Sequence, residues 1–261
     1  MRAVATKVYA LVFVSFMLIT AAGCKKNGGA SLSPSITYSK IDPATAGAIE
    51  GVIHFDKPAP KRIEIDMAQD PACAMAGGSN MSEEYVVKDG KMANVFVYIT
   101  SGLGDKVYAP SSTPVVLDQK GCRYVPHVIG VQVGQPVEFR NSDPTMHNIH
   151  MEPQVGGNQA VDFSQAPNGG ANAGSVRHVF AKPETMIPVR CNNHPWMQAY
   201  INVVANPFFA VSDESGHYSI TGLPPGVYTL TAVQEQLGTK QATVTVTSHG
   251  VTESDLHFGI Q

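Results

Sequence analysis

Cys191-Asn192-Asn193-His194-Pro195-Trp196-Met197 puts a thiolate, an imidazole and a thioether into one short run. Ile187, Val189 and Cys191 alternate, so Cys191 leaves a strand on the same face as apolar side chains. Upstream, Asp143-Pro144-Thr145-Met146-His147-Asn148-Ile149-His150 offers a second imidazole, His147. One thiolate, two imidazoles and one thioether are the donor set of a type 1 copper site, with the Cys and both His in a trigonal plane and Met as a weak axial ligand. Zinc seldom uses Met. A Cys–His nucleophile would need an orienting or oxyanion group that the sequence does not offer. A binuclear copper centre would need a second Cys in the loop, where Asn192 and Asn193 stand.

Composition agrees with a strand-rich chain. Charged residues make up 15% of the 261, and there are 24 Gly and 18 Pro. Long helical patterns are few, which favours an all-β protein of one or two domains. The net charge of −3 gives no electrostatic case for nucleic acid. Phosphate-binding loops, dinucleotide fingerprints, zinc ribbons and haem attachment motifs are absent.

Residues 1–23 read as a signal peptide. Arg2 and Lys7 form a basic start, Val8 to Thr20 is apolar but short for a bilayer span, and Ala21-Ala22-Gly23 leads into Cys24. The junction resembles a bacterial lipobox, with Cys24 as the lipidated first residue and Ala21 where such boxes usually prefer Leu. A plain secretory signal is the alternative, and both readings put the mature chain outside the cytoplasm. Residues 24–47, rich in Gly, Ser, Pro and Ala, read as a flexible tether, with order beginning near Ala48. Cys73 and Cys122 are an even pair in an oxidising compartment, which favours a disulfide. A second metal site using Cys122 and His127 is the alternative; His127 otherwise reads as structural.

Strand signals recur at Ile49–Phe55, Met92–Thr100, Val115–Leu117, residues 128–133, Pro136–Phe139, Val176–Phe180, Ile187–Cys191 and Tyr200–Val204. Residues 152–175, with many Gly, Asn and Pro, read as a long loop. The pattern changes near Phe208, where turns at residues 213–216 and 223–226 bracket Tyr218-Ser219-Ile220 and lead into Tyr228–Ala232 and Thr243–Thr247.

Two resemblances follow. Residues 113–205 resemble the cupredoxins, the amicyanin-like ones above all, in the His-Asn-aliphatic-His run and the Cys-x-x-His-Pro-aromatic-Met loop. That resemblance implies a Greek-key β-sandwich with one copper held at one pole by His147, Cys191, His194 and Met197. It also implies that Asn141 hydrogen-bonds the position after the ligand Cys, here Asn192. Asn193 departs from the family, which has Pro there; its N–H can point at the thiolate, favour Cu(I) and raise the potential. Residues 206–261 resemble the carboxypeptidase-regulatory-like, transthyretin-like sandwich, through Gly216-x-Tyr218 and Leu223-Pro224-Pro225-Gly226-x-Tyr228-x-Leu230. This tail is short for a core of its own. Residues 48–112 would complete it, with the copper domain nested between the two pieces, or the domains follow in tandem.

The function these features imply is a membrane-tethered one-electron carrier, not an enzyme, that serves redox partner proteins. Pro195 and Trp196 would form an apolar docking patch around an exposed His194 edge. A copper-delivery module and a cell-surface interaction protein without redox turnover are the alternatives. A copper enzyme would need a second complete His cluster, and His127, His150 and His178 are too few and too scattered. His150 reads as structural or surface, on the face opposite His147.

Overall fold

Alternation of apolar and polar residues makes strand the dominant regular structure, and a computed structural model, which describes residues 36–76, 80–167 and 175–260, arranges the strands in four sheets. The signal peptide and Cys24 lie outside the described residues. Pairing begins within the segment read as a tether: the Ser39 N–H donates to the Val107 carbonyl at 2.7 Å. Among the described residues no helix is long and apolar enough to cross a membrane.

Gly47–Phe55 organises the first sheet. It pairs antiparallel with His217–Leu223 and Lys91–Met92, and parallel with Val251–Glu253 and Leu256–Phe258. A second sheet runs in the order Phe209–Val211, Phe96–Ser101, Gly226–Gln234, Gly238–Val246. The two share one core, in which Ile49, Ile53, Val97, Ile99, Tyr218 and Leu230 are buried. Each such large apolar side chain contributes about 1.5–3 kcal/mol on burial.

The middle of the chain builds the other two sheets. Val128–Gln132 and Pro136–Asn141, two strands about a turn, do not form a hairpin. The first pairs in parallel with Gln198–Val204; the second lies between Val115–Gln119 and Val176–Val179 in the facing sheet. Gly134, at φ +86°, carries the chain from one sheet to the other. Residues 152–175 are not all loop: Val161–Gln165 pairs along His147–Met151 as an edge strand. Its half-exposed pattern and Gly/Asn-rich flanks conceal it in the sequence. Leu117, Val137, Phe139, Ile149, Val189 and Ile201 fill this core, and Cys73 joins it from a distant part of the chain.

Phe96, Val128, Tyr200, Val204 and Val233 form a third cluster that joins strands from both pairs of sheets. Gly130 makes that contact possible. A Cβ there would lie 2.5 Å from the Phe96 ring and 2.7 Å from Phe209.

Candidate metal centre

Strand order explains why the donors meet. Glu184–Arg190 pairs with His147–Met151 on one side and Gln198–Val204 on the other. His147 begins its strand, Cys191 follows the central one, and Met197 precedes the third. The intervening loop closes on itself, the Met197 N–H donating to the His194 carbonyl at 2.9 Å.

His147 Nδ1 and His194 Nδ1 lie 3.0 Å apart, and Cys191 Sγ is 3.5 Å from His194 Nδ1. The three donor atoms fall within 4.8 Å of one another, and His147, Cys191 and His194 are 0%, 3% and 4% exposed. Both distal nitrogens point outward onto carboxylates: His147 Nε2 at 2.8 Å from Asp143 Oδ2, and His194 Nε2 at 3.0 Å from Asp70 Oδ2. An ionised carboxylate only accepts, so each Nε2 carries a proton and each ring turns its Nδ1 inward. Met197 is buried in the same core, at the end of the loop.

The electrostatics suit metal binding. Burial pushes the Cys191 thiol up, but polar contacts with His147, the Asn193 backbone N–H, His194 and the Asn148 backbone N–H outweigh it and bring the thiol down to about 6. Burial likewise disfavours charge on His147, yet Asp143 and Cys191 raise its pKa. The hydrogen bond from His194 holds the Asp70 carboxyl below its usual range. Asp143 is also lowered: burial opposes ionisation, but His147 and the Cys122 and Gly121 N–H groups prevail.

The supports differ in part from the expected ones. Asn141 does not hold Asn192. Its amide donates to the carbonyls of Thr145, Gln165 and Ala166, so it shapes the loop that leads to His147. Asn192 is held instead by Asn148, whose Oδ1 accepts the Asn192 N–H at 2.9 Å. His150, on the other face, meets the Asn192 side chain at 2.8 Å. Asp70, Asp143 and Asn148 carry roles that the sequence reading did not assign. Asp143, four residues before His147, left a trace in the sequence; Asp70 left none, because its partner is 124 residues away.

Cys73 and Cys122 are joined in a disulfide with a 2.04 Å bond. Two further groups of suitable donors, Asp70–Cys73–His194 and Cys122–Asp143–His147, each include one of these bonded sulfurs. That leaves His147–Cys191–His194 as the open set among the described residues. His127 is instead paired with Glu235 at 3.0 Å and with the Gln198 carbonyl.

The His194 edge is not exposed, in contrast to the docking patch expected around it. Asp70, capping the short helix Pro71–Met75, covers it. Pro195 is exposed and Trp196 half-buried, its indole N–H donating to the Cys122 carbonyl at 3.1 Å. Both line a cavity of about 230 Å³ together with Ile63, Ile65, Glu83 and Met197.

The sequence matches no protein-family model and no curated protein. Among solved structures it is similar to a Cu-containing nitrite reductase from Thermus scotoductus SA-01, with 24% identity over 41% of this chain and a TM-score of 0.31. The chain spans 25% of that reductase's length. It is also similar to the Cu(I) form of an amicyanin point mutant, with 21% identity, 41% of this chain, 97% of the other and a TM-score of 0.30. For amicyanin from Paracoccus versutus the identity is 18%, the coverage 41% and 96%, and the TM-score 0.30.

Proposed function

We propose that this chain is a type 1 copper protein that carries one electron at a time outside the cytoplasm. His147 Nδ1, Cys191 Sγ and His194 Nδ1 would hold the metal, with the Met197 thioether as a weaker fourth donor. The observation that carries the proposal is the convergence of three buried donors, two of them imidazoles whose outer nitrogens are occupied by carboxylates. This set suits copper, because a thiolate with two imidazoles is a soft, three-coordinate arrangement. Bound copper supplies a one-electron couple. The protein's part is to turn both Nδ1 atoms inward, hold Cys191 ionised near neutral pH, and exclude water through burial. The chain is then a carrier and not a catalyst.

A redox partner would dock over Pro195 and Trp196, where the cavity opens beside the loop. A lipid on Cys24 would hold the protein at a membrane surface. The nested layout belongs to the same reading. Residues 49–108 and 208–258 share one core, and residues 115–203 supply most of the other, which supports a copper domain inserted into a transthyretin-like sandwich.

The visible spectrum of copper-loaded protein tests the function. A strong thiolate-to-copper band at about 600 nm is expected, lost in Cys191→Ser. A wild-type spectrum that matches Cys191→Ser would overturn the proposal, and tight zinc binding without that band would replace copper by zinc.

A further inference from the structure

The two carboxylates behind the imidazoles come from different parts of the chain, and one disulfide connects the segments that hold them. Asp143 lies in the loop before His147. Its Oδ2 accepts from His147 Nε2 at 2.8 Å and from the Cys122 N–H at 2.7 Å, and its Oδ1 accepts from the Gly121 N–H at 2.6 Å. Asp70 lies in a segment that otherwise belongs to the far side of the sequence. Its Oδ1 caps the helix through the Ala72 N–H at 2.8 Å, while its Oδ2 accepts from His194 Nε2 and from Thr145 Oγ1, both at 3.0 Å. Cys73 follows Asp70 in that helix, and Cys122 is the residue whose N–H holds Asp143. The Cys73–Cys122 disulfide therefore ties the support of one imidazole to the support of the other. Thr145, two residues from His147, ties them a second time.

We infer that Asp70 and Asp143, whose supporting segments the Cys73–Cys122 disulfide connects, are positioning residues that lock both imidazoles with Nε2 protonated and bias the site toward the oxidised, more highly charged metal. The inference rests on the copper reading above. Its physical basis is general: a carboxylate on the outer N–H of a ligating imidazole fixes the tautomer and makes the ring a stronger donor. A stronger donor favours the ion with the greater charge. Asp70 has a second effect. It replaces solvent at the outer edge of His194, so that ring is braced by the chain itself.

Asp70→Asn, which keeps the size and removes the charge, is the test, with Asp70→Glu as the conservative variant. Competition titrations should show Cu(II) affinity reduced by about 10- to 100-fold, with Cu(I) affinity little changed. Each tenfold loss raises the one-electron potential by about 59 mV. Asp70→Glu should recover part of the loss. In metal-free protein, nitrogen-15 spectra should show His194 as a single Nε2–H tautomer in wild type and a mixture in Asp70→Ala. The Cys73→Ser/Cys122→Ser double variant should loosen the His194 tautomer in the same way with Asp70 still present. An unchanged ratio of Cu(II) to Cu(I) affinity in Asp70→Asn, or an unchanged tautomer in Asp70→Ala, would overturn the inference while leaving the blue band, and so the copper reading, intact. Absence of that band in wild type would instead remove the copper reading itself.

Discussion

Glu235 meets His127 at 3.0 Å across 108 residues of sequence, and both side chains are almost completely buried. The pair ties the turn after Gly226–Gln234 to the residue before Val128–Gln132. Burial alone would lower the His127 pKa, but the hydrogen bond and charge of Glu235, with Glu83 behind it, raise it above 6.5. A raised histidine contributes stability in full below its unfolded value, and loses it as pH rises through the folded one. Glu235→Ala should cost about 3 kcal/mol, the usual penalty for breaking a buried pair. Thermal unfolding of wild type and Glu235→Gln should differ most below the ordinary histidine range, at about pH 5.5, and the gap should shrink as pH rises through the raised folded value. A gap that widens with pH would contradict the pairing.

The sulfur of Cys191 accepts from the Asn193 backbone N–H. Asn193→Pro deletes that donor. Losing one hydrogen bond of about 1 kcal/mol to the thiolate should lower the reduction potential by roughly 40 mV. A redox titration giving an unchanged or higher potential in the variant would sink the assignment. This effect opposes that of the two carboxylates, so the measured potential reports a balance between donors at sulfur and acceptors at the rings.

The disulfide spans 49 residues. Closing a loop of that length in the unfolded chain is worth about 4 kcal/mol in the chain-entropy account. Urea unfolding of the Cys73→Ser/Cys122→Ser double variant should show a loss of that order.

Gly130→Ala would drive a methyl group against Phe96 and Phe209. Overpacking of this kind costs about 1–3 kcal/mol. The melting temperature should fall, while the copper spectrum stays as in wild type, because Gly130 packs against a different cluster from the one that holds the donors. A change in the spectrum would mean that the two regions are coupled more tightly than their contacts indicate.

The cluster of candidate metal ligands was legible in the sequence where chemistry and spacing coincide. Cys191, His194 and Met197 share one short loop, and His147 begins the strand beside it. Its surroundings were not legible, because hydrogen bonds over long separations leave no spacing to read. Asp70 lies among residues that read as an irregular connection, and nothing local marks it as the neighbour of His194. Asn141 was assigned the wrong partner for a related reason. Its amide has three nearer carbonyls to satisfy, and Asn148 reaches Asn192 first. Among the strands, central ones such as Phe96–Ser101 announce themselves by burial, whereas the edge strand Val161–Gln165 is half-exposed and flanked by turn residues.

The pairing of Ile53 with Leu256 sets an order of events during synthesis. The strand that leaves the ribosome early must wait, one edge open, for one of the last segments made. The middle of the chain has all its strand partners before then and can close first. Its second carboxylate, Asp70, comes from a segment made before the loop it covers. Closure of the middle and completion of the outer sheets are thus separable in time, and the chain is at greatest risk of pairing with a neighbour in the interval between them.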